Sequence, residues 1–279
     1  MVERRRVRVA KITVQDICKK KRKQKICALT CYDQSFARSL DHTGMDILLV
    51  GDSMANVVLG LKETRRVSFA EMVNHTRAVA AVVTRSLVVA DMPYVSYQSN
   101  PSGARRYAKK FIDAGADAVK LEWFPNRQGR DCIRVTKTLV ARGIPVMAHI
   151  GLTPQTAHLL GGYKIQGRDR ASAKDLLAQA RLFEDLGAFS IVLECIPYQL
   201  ARRITNAVSI PTIGIGAGRY CDGQVLVLYD MLGLSQGKKP LTFVRTYARL
   251  GQAIARAAQR YISDVRGGRF PDRKESFSL

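Results

Sequence analysis

Residues 190–195, Ser-Ile-Val-Leu-Glu-Cys, set a short, β-branched apolar run against a single carboxylate. Such a run reads as a buried strand, and Glu194 stands at its C-terminal end, just before Cys195-Ile196-Pro197. A carboxylate there must be paired or used, because an unpaired buried charge is expensive. Taken alone it reads as a strand-end group turned to solvent or capping the next helix. The same order of residues recurs, however. Run 47–50 leads into Gly51-Asp52-Ser53 and run 87–90 into Asp91. Run 118–121 carries Lys120 and leads into Glu122, and run 145–148 leads into His149. Five apolar runs deliver a chemically capable side chain at the same end, and that pattern defines a site.

Working outward, residues 25–30 (KICALT) read as a first strand and 34–43 as a helix stopped by Gly44. Ser68 with Glu71 three residues on predicts a capped helix start. Helices are expected over 101–114, 131–142 and 171–186, with another from Pro197. The seventh strand falls near Thr212, the eighth is expected at 226–228, and a last helix over 243–265. Strand and helix thus alternate eight times with no linker, which predicts parallel strands joined by crossover helices. In this length, eight units point to a closed (β/α)8 TIM barrel rather than an open doubly wound sheet. Barrel enzymes build their sites at the C-terminal strand ends, where Asp52, Asp91, Glu122, His149 and Glu194 all fall. The expected organisation is a basic arm over 1–24, a single catalytic barrel over 25–265 and a tail over 266–279. The loop 151–168, rich in Gly, Thr and Gln, is long enough to serve as a lid.

Composition narrows the class. No apolar stretch reaches the roughly 18 residues of a spanning helix, so no membrane role is expected. The six cysteines lack metal-knuckle spacing, and reduced thiols in a cytoplasmic protein are the expectation. The net charge is +22, of which residues 1–25 contribute +9. The run Lys19-Lys20-Lys21-Arg22-Lys23 has no interleaved aromatics, so it reads as a solvated helix end rather than a nucleic-acid surface.

Asp52, Asp91 and Glu122 on neighbouring strands would repel one another without a cation between them, and oxygen-only ligands suit Mg²⁺. Lys120 precedes Glu122 by two residues, so on a strand both side chains face the same way. It can orient a substrate carboxylate or form a Schiff base. His149 is a candidate supporting group, for proton relay or for binding an oxygen. Glu194, set apart from the other carboxylates, is the candidate general base for taking a proton α to a carbonyl. Gly214-Ile-Gly-Ala-Gly218 offers a weak candidate for an anion site.

Ordered motifs add a resemblance: ALTCYD (28–33), LLVGDS (48–53), VVADMPY (88–94), AGADAVKLE (114–122), AHIGLTPQ (148–155), GGYKIQGR (161–168), IVLECIP (191–197) and IPTIGIGAG (210–218). Together they make the chain, over nearly its whole length, similar to the 3-methyl-2-oxobutanoate hydroxymethyltransferase family. That resemblance implies a barrel of the phosphoenolpyruvate/pyruvate type. It implies Asp52 and Asp91 as Mg²⁺ ligands with Glu122 completing the metal site, and Asp52, Ser53, Asp91 and Lys120 as contacts to the 2-oxo acid. Glu194 corresponds to the proton acceptor. The implied co-substrate is methylene-tetrahydrofolate or a related pterin, and the implied assembly a homo-oligomer, a decameric ring. The chain departs from the family at Trp123-Phe124, where a glycine pair is usual, at Met54-Ala55-Asn56, and at Arg65-Arg66; the bulky pair is expected near the mouth of the site. Competing readings are a Mg²⁺-dependent 2-oxo acid lyase or mutase of the isocitrate lyase type, whose usual Lys-Lys-Cys-Gly-His loop is absent, and a non-catalytic basic barrel protein.

Overall fold

A computed structural model of the chain describes residues 10–124, 129–235 and 241–278. Eight strands form in chain order: β1 (Ile26–Thr30), β2 (Ile47–Val50), β3 (Leu87–Asp91), β4 (Ala118–Glu122), β5 (Val146–Gly151), β6 (Ser190–Glu194), β7 (Thr212–Ile215) and β8 (Gly223–Leu226). Each pairs in parallel with its sequence neighbour, and β1 pairs with β8, closing the barrel. The helices are α1 (Val14–Lys19), α2 (Gln34–Asp41), α3 (Met54–Val57), α4 (Phe69–Ala80), α5 (Tyr94–Tyr97), α6 (Ala104–Asp113), α7 (Arg130–Val140), α8 (Arg170–Asp185), α9 (Tyr198–Ala207), α10 (Leu228–Met231) and α11 (Leu250–Arg266). All eight strands lie in the first of two compact units, which ends at Val227; the second runs from Leu228 to Leu279. No described helix is long and apolar enough to cross a membrane.

Burial on both faces explains the uninterrupted apolar runs, since a parallel barrel is packed inside by its own side chains and outside by helices. Alternate residues Ile26, Ala28, Ile47, Leu49, Leu87, Val89 and Ala118 meet in the barrel interior cluster. Ser68 caps α4 in a reciprocal box with Glu71, as the sequence predicts.

Three expectations shift. The eighth strand sits at Gly223–Leu226 rather than 226–228, because only residues 216–222 separate it from β7 and no helix intervenes among them. There the chain turns at Gly216 and Gly218, both with positive φ, and a Cβ on Gly218 would lie 2.4 Å from Tyr198 Cβ. Close packing therefore accounts for that glycine without an anion site. The last helix begins at Leu250, not 243, and belongs to the second unit.

The expected arm over 1–24 is the third. Residues 1–9 of it lie outside the described residues. From Thr13 onward the segment is folded: Thr13 and Asp16 form a capping box and Ile17 is fully buried in the barrel cluster. Lys11, Lys20 and Lys21 pair with Asp117, Asp46 and Asp222 at 2.7, 2.6 and 2.8 Å. The six cysteines are free thiols; Cys27 is exposed, Cys18 and Cys195 are half-buried, and Cys31, Cys132 and Cys221 are buried.

Candidate active site

Two ends of one barrel treat their acids differently. At the N-terminal end Asp46, Asp117 and Asp222 each accept a backbone N–H, from Cys27, Val88 and Thr212 respectively, besides their lysine. Those carboxylates are satisfied structural links. At the C-terminal end the strand-end side chains converge on one another instead, and positive partners run short.

Strand register brings them together. Asp91 aligns with Lys120 and Glu122 with His149 across neighbouring strands. Lys120 Nζ lies 2.6 Å from Asp91 Oδ1 and 3.4 Å from His149 Nδ1. His149 stands between two carboxylates, with Nδ1 3.5 Å from Glu122 Oε1 and Nε2 3.3 Å from Glu194 Oε2. The backbone N–H of Asp52 donates to Asp91 Oδ2 at 2.9 Å. Ser53 is adjacent, its hydroxyl 2.9 Å from the Tyr32 hydroxyl. The side chains of Asp91, Lys120, Glu122 and His149 are all at most 5% exposed, whereas that of Glu194 is 17% exposed. Glu194 is therefore the member of the cluster that an incoming molecule can reach most readily.

Four carboxylates face one lysine and one imidazole, and the protonation equilibria show the imbalance. Burial, then the charges of Asp91 and Glu122, push Asp52 up to about 8. Burial also raises Asp91, against the opposing pull of Lys120. For His149, burial and Lys120 act downward, but bonds to Glu122 and Glu194 outweigh them and bring it to about 9. Burial likewise acts against the charged form of Lys120, yet Asp91, Glu122 and Asp52 raise its pKa overall. A proton held on Asp52 near neutrality marks the place where the cluster lacks positive charge.

A divalent cation would meet that need. No three His, Cys, Asp or Glu among the described residues stand at the spacing of a complete metal shell. Mg²⁺ commonly takes only one or two carboxylates, with water and substrate oxygens filling the remainder. Asp52 and Asp91 fit that requirement. Glu122 is engaged much as Asp91 is: its Oε2 accepts the Gln155 N–H at 3.0 Å and its Oε1 faces His149 at 3.5 Å, while Asp91 Oδ1 meets Lys120 at 2.6 Å and Oδ2 accepts the Asp52 N–H at 2.9 Å.

Sequence reasoning missed Gln155, whose side chain donates to Asp52 Oδ2 at 2.8 Å and is buried. Its place in the loop after His149 was the available signal. That loop is no simple flap: a 3-10 segment, Pro154–Leu160, tucks Gln155, Thr156 and Ala157 into the interior, while Leu159, Tyr163 and Ile165 stay exposed. Both ends are tied to the Glu194 corner, by Leu152 N–H to Glu194 O and Gln166 N–H to Cys195 O, each 2.9 Å. Cys195 turns that corner with φ +47°, a conformation rare for a non-glycine residue.

The bulky pair after β4 does not crowd the cluster. Trp123 stacks edge-on against Phe183 of α8 at 5.9 Å, and Phe124 against Tyr97 at 5.5 Å. A Cβ on Gly129 would stand 2.1 Å from the Trp123 ring. The tryptophan thus fills the helix layer that Gly129 leaves open.

The profile of the family described as ketopantoate hydroxymethyltransferase matches residues 11–273. The chain belongs to the ketopantoate hydroxymethyltransferase family. Relatives named 3-methyl-2-oxobutanoate hydroxymethyltransferase include one from Syntrophomonas wolfei, 46% identical over 273 residues and covering 97% of each chain. Another, from Pyrobaculum aerophilum, is 48% identical over 249 residues, 89% of this chain and 92% of that one. This ketopantoate hydroxymethyltransferase family member is therefore an enzyme of the hydroxymethyltransferase class. Among solved structures, phosphonopyruvate hydrolase superposes with a TM-score of 0.63 at 11% identity, covering 96% of this chain and 92% of that one. A 2,3-dimethylmalate lyase superposes at 0.59 and 16% identity, covering 95% and 91%. Identities that low establish the shared barrel alone.

Proposed function

We propose that the chain transfers a hydroxymethyl unit from methylene-tetrahydrofolate or a related pterin to 3-methyl-2-oxobutanoate, giving 2-dehydropantoate for pantothenate and coenzyme A synthesis. The observation that carries this reading is the accessible Glu194 carboxylate, 3.3 Å from His149 Nε2, beside a buried, charge-deficient carboxylate pair. Asp52 and Asp91, with Glu122 completing the site, are the residues that would hold Mg²⁺. When bound, the ion polarises the keto group and stabilises negative charge developing on its oxygen. Lys120, anchored on Asp91, supplies a fixed positive charge for the 2-oxo acid carboxylate. Asp52, Asp91 and Ser53 complete the substrate contacts.

Glu194 then takes the proton from the branched carbon, breaking that C–H bond. His149 Nε2, 3.3 Å from Glu194 Oε2, sets a positive charge beside that carboxylate as imidazolium. Water cleaves the two C–N bonds of the carrier's methylene group, releasing tetrahydrofolate and a one-carbon unit at the formaldehyde level; the carbon nucleophile bonds to that carbon, and its oxygen takes up the proton held by Glu194 to become the hydroxyl. The working form is a homo-oligomer, a decameric ring, in the cytoplasm.

The test is deuterium exchange at the branched carbon of 3-methyl-2-oxobutanoate, followed by NMR in D₂O with the enzyme, with and without Mg²⁺. Mg²⁺-dependent exchange without any carrier is expected. Its absence under conditions where ketopantoate still forms would rule out Glu194-led enolisation.

A further inference from the structure

Asp52 and Glu122 could each present either oxygen to a cation or a substrate. One residue between them removes that freedom. Gln155 reaches both: its backbone N–H donates to Glu122 Oε2 at 3.0 Å, and its side-chain nitrogen donates to Asp52 Oδ2 at 2.8 Å. The same nitrogen donates to the Met92 carbonyl at 3.0 Å. A backbone carbonyl only accepts, so this contact fixes which end of the amide is nitrogen. The other end confirms the orientation. Gln155 Oε1 accepts from the Tyr97 hydroxyl at 2.9 Å and from the Gln98 amide at 2.8 Å. Every hydrogen-bonding position of the side chain is thereby directed, at 1% exposure.

We propose that Gln155 is the positioning residue of the site: it selects the oxygen of Asp52 and of Glu122 that stays turned away from substrate and cation, leaving Asp52 Oδ1 to do the binding. The inference rests on the proposed function and deepens it. Its second clamp is mechanical. Tyr97 OH also accepts the Glu122 N–H at 2.9 Å, so the amide, the phenol and the end of β4 form one closed circuit. The loop that carries Gln155 starts and ends on the Glu194 corner. Ordering the loop therefore orders the carboxylates, on the side of the barrel opposite in role to the base.

A positioning role divides the kinetic constants in a way that a packing role does not. Glu194 is held by His149 and not by Gln155, so proton abstraction at saturation should survive while binding weakens. The experiment measures Mg²⁺-dependent deuterium exchange into 3-methyl-2-oxobutanoate for wild type and Gln155→Met, with keto acid and Mg²⁺ titrated in turn and thermal melting recorded. Methionine keeps the volume and the backbone N–H but loses every side-chain hydrogen bond. Half-saturation is expected to rise on the order of 10- to 100-fold, the factor that a hydrogen bond to a charged group is worth. The saturated exchange rate per folded enzyme should stay within about three-fold. Tyr97→Phe and Gln98→Met loosen the amide from its oxygen side without touching Asp52, and should raise half-saturation a few-fold. A folded Gln155→Met enzyme with half-saturation within two-fold of wild type overturns the proposal. If that variant does not fold, unchanged half-saturation in both supporting variants overturns it equally. Absence of exchange in the wild type would instead strike at the proposed function, so the two failures are distinct.

Discussion

A carboxylate buried beside two others prefers to carry a proton, and the consequence at Asp52 is measurable. Its ordinary value of 3.8 rises to about 8 on folding. Between those values the folded chain binds a proton that the unfolded chain has released, so this group makes stability fall as pH rises. His149 acts in the same sense: raised from 6.5 to about 9, its contribution is complete below 6.5 and is lost as pH climbs through 9. A cation replacing the Asp52 proton should offset the loss. Millimolar Mg²⁺ is therefore expected to raise the melting temperature more at pH 8 than at pH 6, by differential scanning calorimetry; an equal gain at both would contradict a cation at Asp52. Glu194→Gln keeps the shape of the base and removes its function. Keto acid binding with Mg²⁺ should persist by calorimetry while exchange falls about 10²- to 10⁴-fold, the usual contribution of a positioned base. The carboxylates, Lys120 and His149 were legible in the sequence because strand periodicity and strand ends reveal which way a side chain points. Gln155 was not, since it arrives from an irregular loop whose path no periodicity encodes.

Elements were legible wherever a periodic run met a clear stop. The capped start of α4 and the alternation of strands with helices needed only local signals. The eighth strand slipped because its inward glycine, Gly223, carries no apolar signature; a Cβ there would lie 2.5 Å from Ile26 O. The basic segment misled for another reason. Lys19 and Lys23 are exposed, but Lys11, Lys20 and Lys21 reach back to acids at the starts of β4, β2 and β8, pairings between positions far apart in sequence. This segment thus closes the lower end of the barrel. Ile17→Ala, which empties a fully buried position in that plug, is expected to cost about 2 to 4 kcal/mol in urea unfolding. A chain beginning at Lys11 should retain exchange activity, and one beginning at Lys25 should lose cooperative unfolding. Equal stability of the two truncations would show the plug to be dispensable.

Across the whole molecule, a net charge of +22 suggests a polyanion partner only if the basic groups are free. Lys20 and Lys21, the centre of the densest basic run, are bound to Asp46 and Asp222. In the second unit α11 has no buried residue, and Ile254, Ala258, Tyr261, Ile262 and Val265 repeat along one helical stripe.

Where β8 meets β1, Cys27 and Gln224 stand in register. Cys27 is the exposed one of the six thiols, and that gives the molecule a chemical address. Burial raises the thiol pKa of Cys18, that of Cys31, Cys132 and Cys195 to about 12 and that of Cys221 to about 11, which keeps them protonated and slow toward alkylation. A maleimide fluorophore should therefore attach rapidly at one sulfur per native chain and at six after denaturation. A dye placed at Cys27 would report from the barrel seam, away from the strand ends where the chemistry occurs, with no engineered residue.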